Sequence, residues 1–199
     1  MAAEPIRSIA RRTMLLVLGP LAGLSSACGP PDGFVLKQRF IERRLEELAP
    51  KLQATLRRPL ARALVDAEQA YGVDALLLLS VIEEESRYDP RARSSRGALG
   101  LMQVRPTTGR ELAKRYAIPW QGPEDLLDPR VNVRLGAAYL SELRSRHATW
   151  EATLAAYNMG PAKVRRIKAR GSKVPSRYAW RVLRRYQEFK HGLDSRGHL

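Results

Sequence analysis

The 199-residue chain holds one cysteine, Cys28, so no disulfide can close within it. Its three histidines, His147, His191 and His198, lack the spacings that gather a metal ion, and neither a metal nor another cofactor is expected. The apolar run MLLVLGPLAGL at residues 14–24 is broken by Gly19 and Pro20 and falls well short of the ~20 residues that span a bilayer. No stretch alternates apolar and polar residues over strand length, and repeats and low-complexity runs are missing as well. Acid is scarce too: 20 Asp and Glu face 35 Lys and Arg, and twelve of those bases crowd residues 163–199 against Glu188 and Asp194 alone. That excess fits an anionic polymer or a membrane surface as partner, or simply a solvated basic face.

What is present reads as one globular domain, with 44% hydrophobic and 28% charged residues. Arg7, Arg11 and Arg12 precede the apolar run, and Ser25, Ser26 and Ala27 follow it, so residues 1–27 read as a signal peptide. Cys28 directly after SSA resembles a bacterial lipobox, whose cysteine is lipidated, although Ser25 stands where leucine is usual. Plain cleavage after Ala27 is the alternative, and Arg11-Arg12 also resembles a twin-arginine signal. The expected location is the cell envelope, in the periplasm, held to a membrane through Cys28. A monomer is expected. Export and the absence of any recognised motif argue against a nucleic-acid partner.

The expected class is mainly α. Residues 28–34 form a proline-broken tether, and residues 35–70 a helical arm whose two helices meet boundaries at Pro50 and Pro59. YGVD at 71–74 breaks the pattern, with Gly72 as a C-cap and Asp74 as an N-cap. The main domain then covers residues 71–192, with further helices after Pro106, over 129–146, over 149–158, after Pro161 and over 175–190. Residues 88–98 and 117–129 read as loops, and residues 193–199 as a tail.

The stretch VIEEESRYDP places Glu83, Glu84 and Glu85 at the end of an apolar helix. At ~100° per residue, Leu78, Val81 and Ile82 lie within about 60° of Glu85, whereas Glu84 and Glu83 turn away by about 100° and 160°. A carboxyl in such a wall is poorly hydrated, which raises its pKa toward the range of a general acid. The competing reading is a helix-end glutamate paired with Arg87, Arg91 or Arg93. Leu76 and Leu79 also make this helix apolar nearly all round.

The wider segment VIEEESRYDPRARSSRGALGLMQVRPTT resembles the catalytic segment of the soluble lytic transglycosylase family. Glu85, Ser86, Pro90, Ala92, Ser94, Gly97, Ala98, Gly100, Leu101, Met102 and Gln103 stand at its motif positions. DPRVNVRLGAAYL (128–140) and AAYNMGPAKV (155–164) match two later blocks, so the likeness covers about residues 72–190. It implies a lysozyme-like helical domain with a cleft for peptidoglycan glycan strands. The implied reaction is non-hydrolytic cleavage of the β-1,4 bond between N-acetylmuramic acid and N-acetylglucosamine. Glu85 is its single acid and then base. Asp89 is an unpromising partner, and Asp128 reads as a helix cap.

By the same resemblance Ser94, Gln103, Tyr157, Asn158 and Tyr178 bind substrate, with Tyr157 facing the glutamate and Tyr178 at the cleft edge. Each also has a plain structural reading, as loop serine, core aromatic or helix cap. Gly97 and Gly100 either allow close approach to the sugar or are simple turn glycines. Met102, Asn132, Gly136 and Tyr139 are expected to pack. Arg105 departs from the family, standing where methionine is common, and could meet a stem-peptide carboxylate. Two alternatives remain: a goose-type lysozyme-like hydrolase that uses water, and a non-catalytic peptidoglycan-binding lipoprotein.

Overall fold

In the computed structural model the described residues are 32–50 and 52–195. The leader, Cys28 with the tether residues up to 31, and the last four residues of the tail lie outside them.

The Asp74 carboxylate accepts a hydrogen bond from the Leu76 amide at 2.8 Å and starts helix Ala75–Ser86. Every side chain of that helix from Ala75 to Ile82 is buried, so for two turns it is enclosed on all sides. Ser80, the one polar residue in that run, donates to the Leu76 carbonyl at 2.7 Å within the helix. The helix reaches solvent only at Glu83. It ends in two left-handed residues, Arg87 (φ 51°) and Tyr88 (φ 66°), with Tyr88 tucked back into the core.

We number the α-helices α1 (Asp32–Leu48), α2 (Ala54–Tyr71), α3 (Ala75–Ser86), α4 (Pro106–Arg115), α5 (Pro129–Arg144), α6 (Trp150–Met159), α7 (Pro161–Ala169) and α8 (Arg177–Asp194). A 3-10 turn, Pro123–Leu127, lies within the expected loop 117–129; Asp125 holds its start by accepting from the Gln121 and Gly122 amides at 2.6 and 3.2 Å. The described residues contain no strand beyond isolated bridges that tie Leu99 to Arg93 and Val104. The mainly helical class is as expected. α2 packs on α1 and α5, and α3 packs on α8.

Three expected boundaries differ. Residues 32–34 of the tether are the first turn of α1, and Leu193 and Asp194 belong to α8 rather than a tail. Pro59 does not end a helix. It sits inside α2, where it forfeits one backbone bond, while buried Leu60, Ala61, Ala63, Leu64, Val65 and Ala67 hold the helix against its neighbours.

Residues 35–70 are also no appendage. Ile41, Leu45, Leu60 and Leu64 are fully buried in the same core cluster as Leu78, Val133 and Val182. Lys37 on α1 bridges Glu68 at 2.7 Å and Asp74 at 3.7 Å, and Phe40 packs on Gly192 at the far end of α8. Their apolar stripes have nowhere to go but that core, which is why an arm read from periodicity becomes part of the domain.

Candidate active site

The three glutamates leave α3 in three directions because α8 meets them with three different side chains. Arg185 donates to Glu83 at 2.6 Å, and Tyr88 donates to the same carboxylate at 3.0 Å. Arg181 donates to Glu84 at 2.8 Å. Glu85 meets no cation; the Tyr178 hydroxyl donates to its Oε1 at 2.7 Å. Residues 178, 181 and 185 lie along one stripe of α8, so a single helix face sorts the carboxylates. The alternative pairing of Glu85 with Arg87, Arg91 or Arg93 is not what is observed, since Arg93 bridges Glu124.

Burial without a cation pushes the Glu85 carboxyl up from 4.5 to about 7; the Tyr178 hydrogen bond opposes that rise and the charge of Glu84 adds to it. Tyr178 and Tyr157 are themselves pushed well above 10, first by burial and then by the charge of Glu85, so both remain hydroxyl donors near neutrality.

Glu85 opens into a cavity of about 460 Å3 that Ser94, Gln103, Tyr157 and Asn158 also line. Arg96, Arg105, Thr108 and Tyr139 complete much of its polar wall, and Glu85 is the one carboxyl among its lining residues. Asp89 accepts from the Arg91 amide in an exposed turn, and Asp128 caps α5 through the Arg130 amide at 2.7 Å, as the sequence suggested for it.

The wall is built on a polar hub. Asn132, fully buried on α5, accepts from the Met102 amide at 2.7 Å and donates to the carbonyls of Leu99 and Leu126 at 2.9 and 2.7 Å. Gly100 approaches this hub so closely, at φ +75°, that an added Cβ would lie 2.1 Å from the Leu126 carbonyl oxygen. Gly136 likewise leaves room for the Met102 sulfur. Gly100 and Gly136 therefore serve backbone and side-chain packing. The hub holds the loop on which Gln103 sits in the left-handed region, at φ 50°. The Gln103 amide donates to the Ala92 and Gly100 carbonyls at 3.2 and 2.9 Å, which leaves its oxygen as the free polar atom toward the cavity. Ser94 accepts from the Ala98 amide at 2.9 Å and closes its own turn.

One of the two tyrosines stands elsewhere than the sequence suggested. Tyr178 is not at the cleft edge but buried behind Glu85, because α8 lies across the end of α3. Tyr157 lines the cavity, yet its hydroxyl donates to the Met102 carbonyl at 2.7 Å rather than to the glutamate. Tyr139, expected only to pack, stacks tilted on Tyr157 with ring centres 5.5 Å apart and also faces the cavity. Its position seven residues after Asn132, two turns along one face of α5, was the available signal. Arg96 was missed; it lies inside the segment that carries the family motif.

A helical domain with one partly enclosed carboxyl at the end of a central helix, opening on a cavity, is a lysozyme-like transglycosylase fold. The chain belongs to the transglycosylase SLT domain family, which matches residues 63–178. It is 34% identical over 102 residues to the soluble lytic murein transglycosylase of Salmonella typhimurium, covering 50% of this chain and 15% of that protein. It is 36% identical over 115 residues to membrane-bound lytic murein transglycosylase C of Sodalis glossinidius, covering 52% and 32%. An inactive variant of lytic transglycosylase Slt from Pseudomonas aeruginosa superposes with TM-score 0.62 at 25% identity, over 82% of this chain and 31% of that one. The 70 kDa soluble lytic transglycosylase of Escherichia coli shares the fold, with TM-score 0.61 at 22% identity over 81% and 29%. The chain thus spans under a third of each solved structure and 15% of the Salmonella protein.

Proposed function

We propose that the chain is a peptidoglycan lytic transglycosylase that cleaves the β-1,4 bond between N-acetylmuramic acid and N-acetylglucosamine without adding water. The observation that carries this reading is Glu85, a carboxyl raised to about 7 with no second carboxyl lining its cavity. A hydrolase of the ordinary kind divides acid and base, or acid and nucleophile, between two carboxylates. Here one group acts twice. Protonated Glu85 gives its proton to the glycosidic oxygen as the bond to C1 breaks. The muramyl C6 hydroxyl attacks C1, its proton passes to the Glu85 carboxylate, and a 1,6-anhydro ring closes with the acid restored. An attacking group already joined to the sugar spares the cost of bringing in a second molecule, an advantage of up to ~7–11 kcal/mol in well-oriented cases.

Tyr178 holds the Glu85 carboxyl in place. The Gln103 oxygen, Ser94, Tyr157 and Asn158 position the sugar and its N-acetyl groups. The leader and Cys28 support an envelope location with a lipid anchor, in line with a relative named as membrane-bound. No described helix is long and apolar enough to cross a membrane.

Digestion of purified sacculi by the wild-type chain and by Glu85→Gln, with products read by mass, tests the proposal. Anhydro-muropeptides from the wild type alone support it. Products one water heavier would instead make the chain a hydrolase, and equal solubilisation by both proteins would remove Glu85 from the chemistry.

A further inference from the structure

Lys163, Arg165, Arg166, Lys168, Arg170 and Lys173 follow one another along α7 and the loop after it, with no Asp or Glu between Gly160 and Arg177. All six are exposed. None enters an ion pair among the described residues. α8 is as rich in arginine, yet Arg181, Arg184 and Arg185 all find carboxylates there. Like charges held this close repel one another unless an anion is brought to them. α7 is also lightly fastened, since Val164 is its one buried residue and rests on a small cluster with Leu143, Ala155 and Ala156. Such a helix contributes little to the core while carrying a large uncompensated charge.

Its position says which anion. Gly160 and Pro161, where α7 begins, line the same cavity as Glu85. Arg96 and Arg105 bring two further exposed cations to that cavity, again outside any ion pair among the described residues. The basic helix therefore begins at the rim of the cleft, within reach of a polymer that extends beyond it. Resting on the activity proposed above, we infer that α7 and the loop to Lys173 form a docking surface for the carboxylates of peptide stems. The stems are those on the peptidoglycan strand next to the unit held in the cavity.

Cosedimentation tests this without cleavage, using the full chain carrying Glu85→Gln. Its targets are intact sacculi, sacculi stripped of free stem carboxylates by carbodiimide coupling to ethanolamine with the glycan and cross-links left in place, and vesicles of phosphatidylglycerol with phosphatidylethanolamine. Intact sacculi are expected to bind about tenfold more tightly than stripped ones, an advantage that fades as salt rises from ~50 to ~500 mM. Replacing Lys163, Arg165, Arg166 and Lys168 together by Gln should abolish the advantage. The charge-preserving set Lys163→Arg, Arg165→Lys, Arg166→Lys and Lys168→Arg should keep it. Equal binding to intact and stripped sacculi overturns the inference, as does an advantage that survives the four Gln substitutions. So does a result in which those substitutions weaken vesicle binding alone, which would make the surface a membrane contact. If the Glu85→Gln chain prefers intact sacculi while the wild-type chain yields no anhydro product, the activity falls and this surface stands. Normal anhydro product without stem preference does the reverse.

Discussion

Asn132 and Glu85 are both polar side chains set among largely buried neighbours and are treated in opposite ways. The Asn132 amide has all its strong partners from the backbone: one donor and two acceptors, each within 2.9 Å. Glu85 has one hydroxyl donor, no cation and a cavity in front of it. The first region is satisfied and has no reason to change state. The second is left underserved by its surroundings, and that shortfall is what keeps a proton on a carboxyl near neutrality. The proposed chemistry falls where the fold withholds a partner, and the withholding is local, since Glu84 and Glu83, one and two residues earlier, are both paired.

The largest test of this contrast is Glu85→Gln, which removes the proton and should lower the rate of anhydro-product release by at least ~1,000-fold with little change in Tm. Asn132→Ala attacks the other side. It strands the Met102 amide and two buried carbonyls, and should cost ~3 kcal/mol, lowering Tm by roughly 10 °C in a thermal melt.

Tyr178→Phe sharpens the comparison by withholding one more partner. The hydroxyl stabilises the ionised carboxylate, so its loss raises the Glu85 pKa further. The alkaline limb of the pH–rate profile, expected to fall through about 7 in the wild type if the acid form is needed, should move to higher pH while the rate drops roughly tenfold. The same raised pKa has a stability sign. The folded state holds the Glu85 proton more tightly than the unfolded chain, so its contribution is full below about 4.5 and is lost as pH rises toward 7. In Glu85→Gln that slope in stability, read by urea unfolding at several pH values, should flatten. The smallest effect belongs to Arg185→Gln, at the paired end of the trio, with a loss of up to ~1 kcal/mol and no shift of the rate profile.

The sequence singled out Glu85 as the candidate acid, but the geometric reason it offered was only half right. A carboxyl on an apolar stripe suggests itself at Glu85, yet α3 is buried on every side up to Ile82, so the stripe alone separates nothing. The sorting comes from Tyr178, Arg181 and Arg185, which lie 93 to 102 residues further on. No local window contains both ends of that arrangement. For the same reason Tyr157 and Tyr178 could be placed near the site but not assigned to their partners. Ser94, Gln103 and Asn158 are brought to one cavity, whereas Arg96 and Tyr139 needed the fold to appear there. The helices themselves were legible where caps announced them, as at Asp74 and Asp128, and misread where burial overrode a breaker, as at Pro59.

The contact between Phe40 and Gly192 gives α8 a second mooring. Its opening turn carries the tyrosine that steadies the acid, while its closing turns lean on the first helix, Asp32–Leu48, which lies wholly before the family match at residue 63. Removing the residues that precede the matched segment would therefore leave α8 pinned at one end only. Loss of that opening segment would be felt as a slackened grip on a proton, and not merely as a lower melting point.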